Sequence, residues 1–235
     1  MTMIAAEQQV VLGPHHRQTA ADVAAEALFD AVLAGVIKPG SALRLQQIAD
    51  QLGMSVMPVR EALRKLDGLG LVELQPHRGA WLRPLTRDDL LDTYFTRVSL
   101  ELLAVRQAAR NFSDRHAAIA RAALDEQQLL KDRGDRVGAR VAHERFHFAL
   151  YEASGSMWLM RSILPAWRNA ERYRVMAMRF RGPSLARHEE HLGLLQALID
   201  AAEGAAVDQL LRHLETSIRT GLEAVSAQAD GDGDT

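Results

Sequence analysis

Nine histidines and no cysteine stand in this 235-residue chain. Disulfides and thiolate metal sites are therefore excluded, and any bound transition metal must rely on nitrogen or oxygen ligands. His143 and His147 are spaced i, i+4, which puts both rings on one helix face and lets them converge on one ion. A cysteine-free, all-nitrogen site suits Zn2+, Ni2+ or a similar borderline ion. The same spacing also arises on helices where both rings are merely packed or solvated, and these residues alone leave both readings open. His15, His16, His116 and His188 read as surface residues. Arg97 and Glu101 repeat the i, i+4 spacing with opposite charges, so Arg97 can form an internal ion pair or reach the carboxylate of a ligand.

A second set of residues has the chemistry to grip nucleic acid. The net charge is −2, which does not suit a general polyanion binder. Between Val36 and Arg87, however, eight cations face four acids, a local basic excess that fits a duplex contact confined to one module. An ordinary solvated surface would carry a similar charge, so the elements that present these residues have to decide.

Those elements read as two blocks. The first 16 residues lack periodicity and contain Gly13-Pro14, and 1–16 is read as a mobile arm. From about 19 to 37 the spacing is helical, with Val23, Ala27, Leu28, Ala31, Val32 and Val36 on one stripe, ended by Lys38-Pro39-Gly40. A second helix over about 45–52 stops at Gly53. Ser55 can cap a third, with Pro58 in its first turn, where a missing N–H costs little. Ala49 is small enough to let the two helices approach, Gly53 suits the turn, and Val59 can fill the angle between them. Together these spacings point to a helix-turn-helix. Leu71–Gln75 and Ala80–Arg83 then read as a β-hairpin around Pro76-His77-Arg78-Gly79.

From Thr86, which can cap a segment opening on Asp88 and Asp89, the remainder is helical. Segments fall at about 88–111, 114–132, 136–153, 157–180, 184–202 and 205–227, and Pro165 can split the fourth to make seven. The fold class is thus mainly α: a winged helix-turn-helix over 17–86, an all-α bundle of six or seven helices over 87–227, and an acidic, glycine-rich tail over 228–235 read as disordered. The start of the chain has no secretory pattern, and no apolar run approaches the roughly 20 residues a membrane span needs. A cytoplasmic protein is expected.

The pattern Leu45-x-x-Ile48-Ala49-x-x-Leu52-Gly53-Met54-Ser55-x-x-Pro58-Val59-Arg60-Glu61-Ala62-Leu63, continued by Leu66, Gly70-Leu71-Val72 and Arg78-Gly79-Ala80, resembles the GntR family of bacterial regulators over about a third of the chain. The resemblance implies that the third helix enters the major groove with Ser55, Val56, Met57 and Arg60 against base edges. Arg60 suits a guanine and Arg64 a phosphate. Arg44 and Gln46 can reach the backbone, and His77, Arg78 and Gly79 form the tip of the wing. The family commonly has an arginine where this chain has Val56. Valine can pack only on a thymine methyl, so a typical relative's operator does not carry over.

The second block is similar to the FadR-type, or FCD, effector domain, through Arg97-x-x-x-Glu101, Phe146-His147, His191-x-x-Leu194-Leu195-x-Ala197 and Arg212-His213-Leu214. Such domains often hold a divalent metal on one aspartate and three histidines. Mapped here, the histidines are His147, His191 and His213, with His143 in the aspartate's place. The implied effector contacts are Arg97, Tyr94 and Arg172, and Trp158 and Trp167 read as core or interface. The implied protein is a homodimeric repressor, not an enzyme, that binds a palindromic operator and answers to a small organic acid near the metal. Two other readings remain. One is a metal-dependent enzyme, for which Glu144 and Glu190, each adjacent in sequence to a histidine of the set, point the wrong way to serve as base. The other is a constitutive DNA-binding dimer.

Overall fold

The computed structural model describes residues 18–76, 78–181 and 186–232. The expectations for 1–16, His77 and the Gly182-Pro183 break lie outside these residues. Helix α1 (Ala20–Ala34) starts at a reciprocal cap: the Thr19 hydroxyl accepts from the Asp22 amide at 3.1 Å, and the Asp22 carboxylate accepts from the Thr19 amide at 2.9 Å. It ends earlier than the expected 37, because Gly35 takes a left-handed φ of 78° and turns its N–H back to Ala31 and Val32. The buried stripe is also rotated from the expected one. Ala24, Leu28, Phe29 and Leu33 face inward, while Val23 and Val36 are exposed. In so alanine-rich a helix several faces are apolar enough, and the neighbours select one.

Strand β1 (Ala42–Leu43), helix α2 (Leu45–Leu52), helix α3 (Val56–Gly68) and strands β2 (Val72–Gln75) and β3 (Gly79–Leu82) complete the first module. The hairpin is present, but β1 adds a third strand by pairing antiparallel with β3, Ala42 opposite Trp81, in the order β1-β3-β2. Gly53 has a φ of 62° with open space around it, so its glycine is required by backbone conformation and not by packing. Ala49 and Val59 are fully buried in the module's core. Ser55 occupies the position preceding α3, yet its side chain makes no capping hydrogen bond.

Helices α4 (Arg87–Ala108), α5 (Asp114–Asp132), α6 (Arg136–Glu152), α7 (Met157–Arg181), α8 (Ala186–Ile199) and α9 (Glu203–Asp232) form the bundle. Thr86 caps α4 as expected, accepting from the Asp89 amide at 3.1 Å. Pro165 lies inside α7 without splitting it. The backbone stays helical to Asp232, beyond the expected end at 227 and into the segment expected to be disordered; Gln228 and Ala229 favour this, while Asp230, Gly231 and Asp232 do not. α9 lies close against α4: a Cβ on Gly221 would come within 2.6 Å of Leu90 Cδ1. Among the described residues no helix is long and apolar enough to cross a membrane.

The buried residues fall into two clusters, one per module, and charged contacts join them. Arg140 of α6 donates to Asp30 of α1 at 2.8 Å, and Arg168 of α7 reaches Glu26 at 3.3 Å and Glu144 at 3.2 Å. Both guanidinium groups also lie over the Phe29 ring. Arg179 donates to the Leu33 carbonyl at 2.9 Å.

Candidate metal centre and DNA-reading face

α6, α8 and α9 bring His143, His147, His191 and His213 together, with one ring nitrogen from each all within 4.8 Å of one another. All four are buried, His147 completely. His147 Nε2 and His191 Nε2 stand 3.1 Å apart, close to the roughly 3.3 Å between two nitrogens bound to one zinc ion at about 2.0–2.1 Å. Burial is the largest influence on three of the rings and holds His143, His147 and His191 well below the usual histidine range. For His143 the neighbouring Arg174 adds to this, and for His147 and His191 the other histidines do. These rings are therefore neutral and have lone pairs to give. The buried Nδ1 atoms of His143 and His191 have no hydrogen-bond partner, a costly arrangement for a sealed polar pocket. The donor set fits a borderline divalent cation.

The walls are aromatic and charged. Trp167 stacks on His143 with ring centroids 5.4 Å apart, and Phe146 meets His147 and His191 edge-on. Arg97 lies over the rings of Tyr94 and Trp167. Its guanidinium is committed to Glu101, through Nε at 2.6 Å and Nη2 at 3.2 Å, so of the two roles open to it the internal ion pair is the one formed. Tyr151 donates to Glu101 Oε2 at 2.6 Å and stands 3.3 Å from His147 Nδ1. Burial, reinforced by Glu101, pushes the Tyr151 phenol well above its usual range, so it keeps its proton. Burial likewise raises Tyr94, whose ring is packed beside this pair.

Arg172 is a correction. It donates to the Arg83 carbonyl and, at 2.9 Å, to Asn169 Oδ1, and so braces the joint between the modules. Five residues on a helix span about 140° of rotation, so Arg172 cannot share the face of Trp167. Glu171 and Arg174 do share it: Arg174 grips Glu171 with two 2.6 Å hydrogen bonds, and Glu171 lies 3.9 Å from His143 Nδ1. Glu190 is a second correction, because it accepts from His213 Nδ1 at 2.8 Å. It points away from its sequence neighbour His191 but toward a histidine of the next helix. Glu144 instead accepts from Trp167 Nε1 at 3.2 Å, and burial raises its carboxyl. Sequence reasoning missed Glu171, Arg174 and Tyr151. The i, i+4, i+7 run from Trp167 and the i+4 position after His147 were signals for them.

On the other module, Arg44, Gln46, Ser55, Met57, Arg60, Arg64, Arg78 and Gly79 are exposed, while Val56 is half-buried against the core. Gln46 donates to Asp50 at 2.9 Å, and Arg64 is paired with Glu61 at 2.7 Å. Arg60 and Met57 lie exposed in the first turns of α3. Trp158 is exposed.

Residues 20–81 match the family described as bacterial regulatory proteins, gntR family, and residues 92–216 match the FCD domain. The chain is 30% identical over 215 residues to the "Probable D-xylose utilization operon transcriptional repressor" of Paenarthrobacter nicotinovorans, covering 92% of each. It is 31% identical over 194 residues to the uncharacterized HTH-type transcriptional regulator BphR of Paraburkholderia xenovorans, covering 80% of this chain and 79% of that one. Among solved structures, Escherichia coli McbR/YncC superposes with a TM-score of 0.75 over 87% of this chain and 98% of that one, at 23% identity, a likeness of fold. A GntR transcriptional regulator from Rhodococcus sp. RHA1 superposes with a TM-score of 0.67 at 28% identity over the same shares.

Proposed function

The chain belongs to the GntR family of bacterial regulatory proteins, with an FCD domain behind its DNA-binding module, and from that premise we propose that it is a metal-dependent, ligand-responsive repressor acting as a cytoplasmic homodimer. The family and its relatives are transcription regulators and not enzymes, so the histidines serve sensing and not turnover. The DNA-binding module is residues 17–86 and the sensing and dimerising module residues 87–227. His147, His191, His213 and His143 hold the ion, zinc or nickel. The observation that carries this reading is the convergence of four buried histidines behind a winged helix-turn-helix. Repression is favoured by the name of the Paenarthrobacter relative; the sugar in that name is not carried over.

Four neutral imidazoles leave a divalent ion its full charge, whereas an aspartate would remove one unit. In a low-dielectric pocket the more positive centre favours an anionic effector, a small organic acid. Arg97 is already occupied by Glu101, so the ion itself is the main anchor for the acid. α6 carries His143 and His147 together with Arg140, which grips the DNA-binding module, and Trp167 links His143 through Glu144 to Arg168. A ligand that prefers one arrangement of α6 and α7 can thereby shift the position of the DNA-reading heads. Operator titrations of native protein, zinc-loaded and chelator-stripped, with a panel of small carboxylates test the function. Operator release by a carboxylate only in the loaded protein is expected. Equal binding under all conditions would make it a constitutive DNA-binding dimer. With Arg140→Ala and Arg168→Ala combined, the loaded and stripped proteins should differ less in operator affinity while metal affinity is unchanged.

At the operator, Arg60→Ala should cost about 1–3 kcal/mol in specific binding, while Arg64→Ala weakens all sequences alike and flattens the salt dependence. Competition titrations at matched salt check both, and unchanged operator affinity in Arg60→Ala removes it from base reading. A single winged helix reads too short a site for a genomic address, and a two-fold dimer doubles it. Light scattering at micromolar concentration should therefore give twice the 26.0 kDa chain mass; a monomer that still binds a half-site contradicts the assembly.

A further inference from the structure

We propose that Tyr151, Glu101 and Glu190 are positioning residues for the metal centre, setting His147 and His213 with the proton on Nδ1 so that both present a bare Nε2 to the ion. The inference rests on reading the histidine cluster as a metal centre. Tyr151 has one proton and gives it to Glu101 Oε2 at 2.6 Å. Toward His147 Nδ1, 3.3 Å away, its oxygen can then only accept, so Nδ1 must carry the hydrogen. Arg97 clamps the same carboxylate through two nitrogens, which keeps Glu101 from rotating toward another donor. On the opposite side Glu190 plays the shorter version of this role, its carboxylate accepting directly from His213 Nδ1 at 2.8 Å. Outer hydrogen bonds of this kind fix ring orientation and tautomer and raise ligand basicity.

The other two histidines have no such partner. Nδ1 of both His143 and His191 is buried and unsatisfied. With the lone pair of His147 Nε2 facing inward, His191 Nε2, 3.1 Å away, is the atom that must donate in the ion-free protein. To ligate through Nε2, His191 has to transfer that hydrogen to Nδ1, with no net proton gained or lost. The centre is thus built unevenly: His147 and His213 are preset, and His191 and His143 adapt. A buried Arg97–Glu101 pair is also a poor choice for stability alone, since apolar residues of similar volume often do as well. Its place beside Tyr151 gives it this second use.

The test is long-range 1H–15N correlation on histidine-labelled, ion-free protein, paired with chelator competition for zinc and nickel. Wild type should show His147 and His213 protonated on Nδ1 and His191 on Nε2. Tyr151→Phe should turn His147 into a tautomer mixture and weaken both metals about 10–100-fold. Glu190→Leu should do the same to His213, and Glu190→Gln, which keeps an acceptor oxygen, should restore the tautomer. Thermal melts verify that each variant is folded, and the two sites are tested independently. A wild type that takes up neither ion overturns the metal reading and this inference with it. A wild type that binds the ions but carries the His147 proton on Nε2, or a Tyr151→Phe protein with unchanged tautomer and affinity, overturns the inference alone.

Discussion

His147→Ala and His191→Ala are each expected to purify without zinc or nickel while keeping helix content and basal operator binding. His147 is wholly enclosed and touches the other three rings, so no surface side chain is placed to take over as a ligand. The affinity loss should exceed the roughly 10–100-fold typical of outer-shell changes, because a ligand itself is removed. Metal analysis of the purified variants reads the result, and full occupancy in both would place the ion elsewhere. Acidification should act in the same direction. His143, His147 and His191 are held below the usual histidine range by burial, so below about pH 6.5 the unfolded chain takes up protons that the native pocket refuses. The stability contributed by these neutral rings is complete above that pH and is lost as pH falls. Ion-free protein should therefore melt at progressively lower temperature between pH 7 and 5, whereas folded, loaded protein should release its ion only at lower pH, once the buried rings themselves take up protons and can no longer ligate.

Glu101→Ala should be among the most destabilising single changes in the bundle, at about 3–5 kcal/mol. The carboxylate is fully buried and Arg97 almost so, and that burial screens poorly a guanidinium that loses its partner. Burial opposes the Arg97 charge and Glu101 offsets it in the native protein; without Glu101 the guanidinium still keeps its proton, as arginine does in proteins, so proton loss offers no escape. Tyr151 loses its acceptor in the same step. The paired replacement Arg97→Met with Glu101→Leu should recover most of the melting temperature, because it removes both charges and fills the space. Its metal affinity should remain reduced, since the hold on His147 is gone. Chemical denaturation of the single and double variants checks the stability difference. A double variant as unstable as Glu101→Ala would show that the loss lies in packing and not in the unpaired charge.

The winged module was legible in the sequence because its signals are local. Ala49, Gly53 and Val59 answer steric demands within one helix-turn-helix, and the hairpin shows its period and its turn residues within a dozen positions. Strand β1 was not legible: two residues carry no alternation, and only pairing with β3 makes Ala42–Leu43 a strand. The face of α1 was misread for a related reason. Its alanines leave several stripes apolar, and packing into the module's own core against α3, with Arg140 and Arg168 over Phe29, selects the one that is buried.

The candidate centre divides along the same line. The i, i+4 relations within one helix, His143 with His147 and Arg97 with Glu101, could be read from spacing because helix geometry alone sets them. The use of Arg97 could not, since a free guanidinium and a paired one have the same sequence. Glu190 was assigned the wrong direction by a rule that holds only within α8; its partner is His213 on α9, and no periodicity connects two helices. Arg172 failed for the opposite reason, because the side of α7 it occupies meets the joint between the modules. The chain thus determined by itself which elements form and which residue types they carry, through short-range sterics and hydrogen bonding. Which charges meet, which ring nitrogens are left bare and which face is buried were decided only by packing between helices, where the cost of an unpaired buried polar group selects the partners.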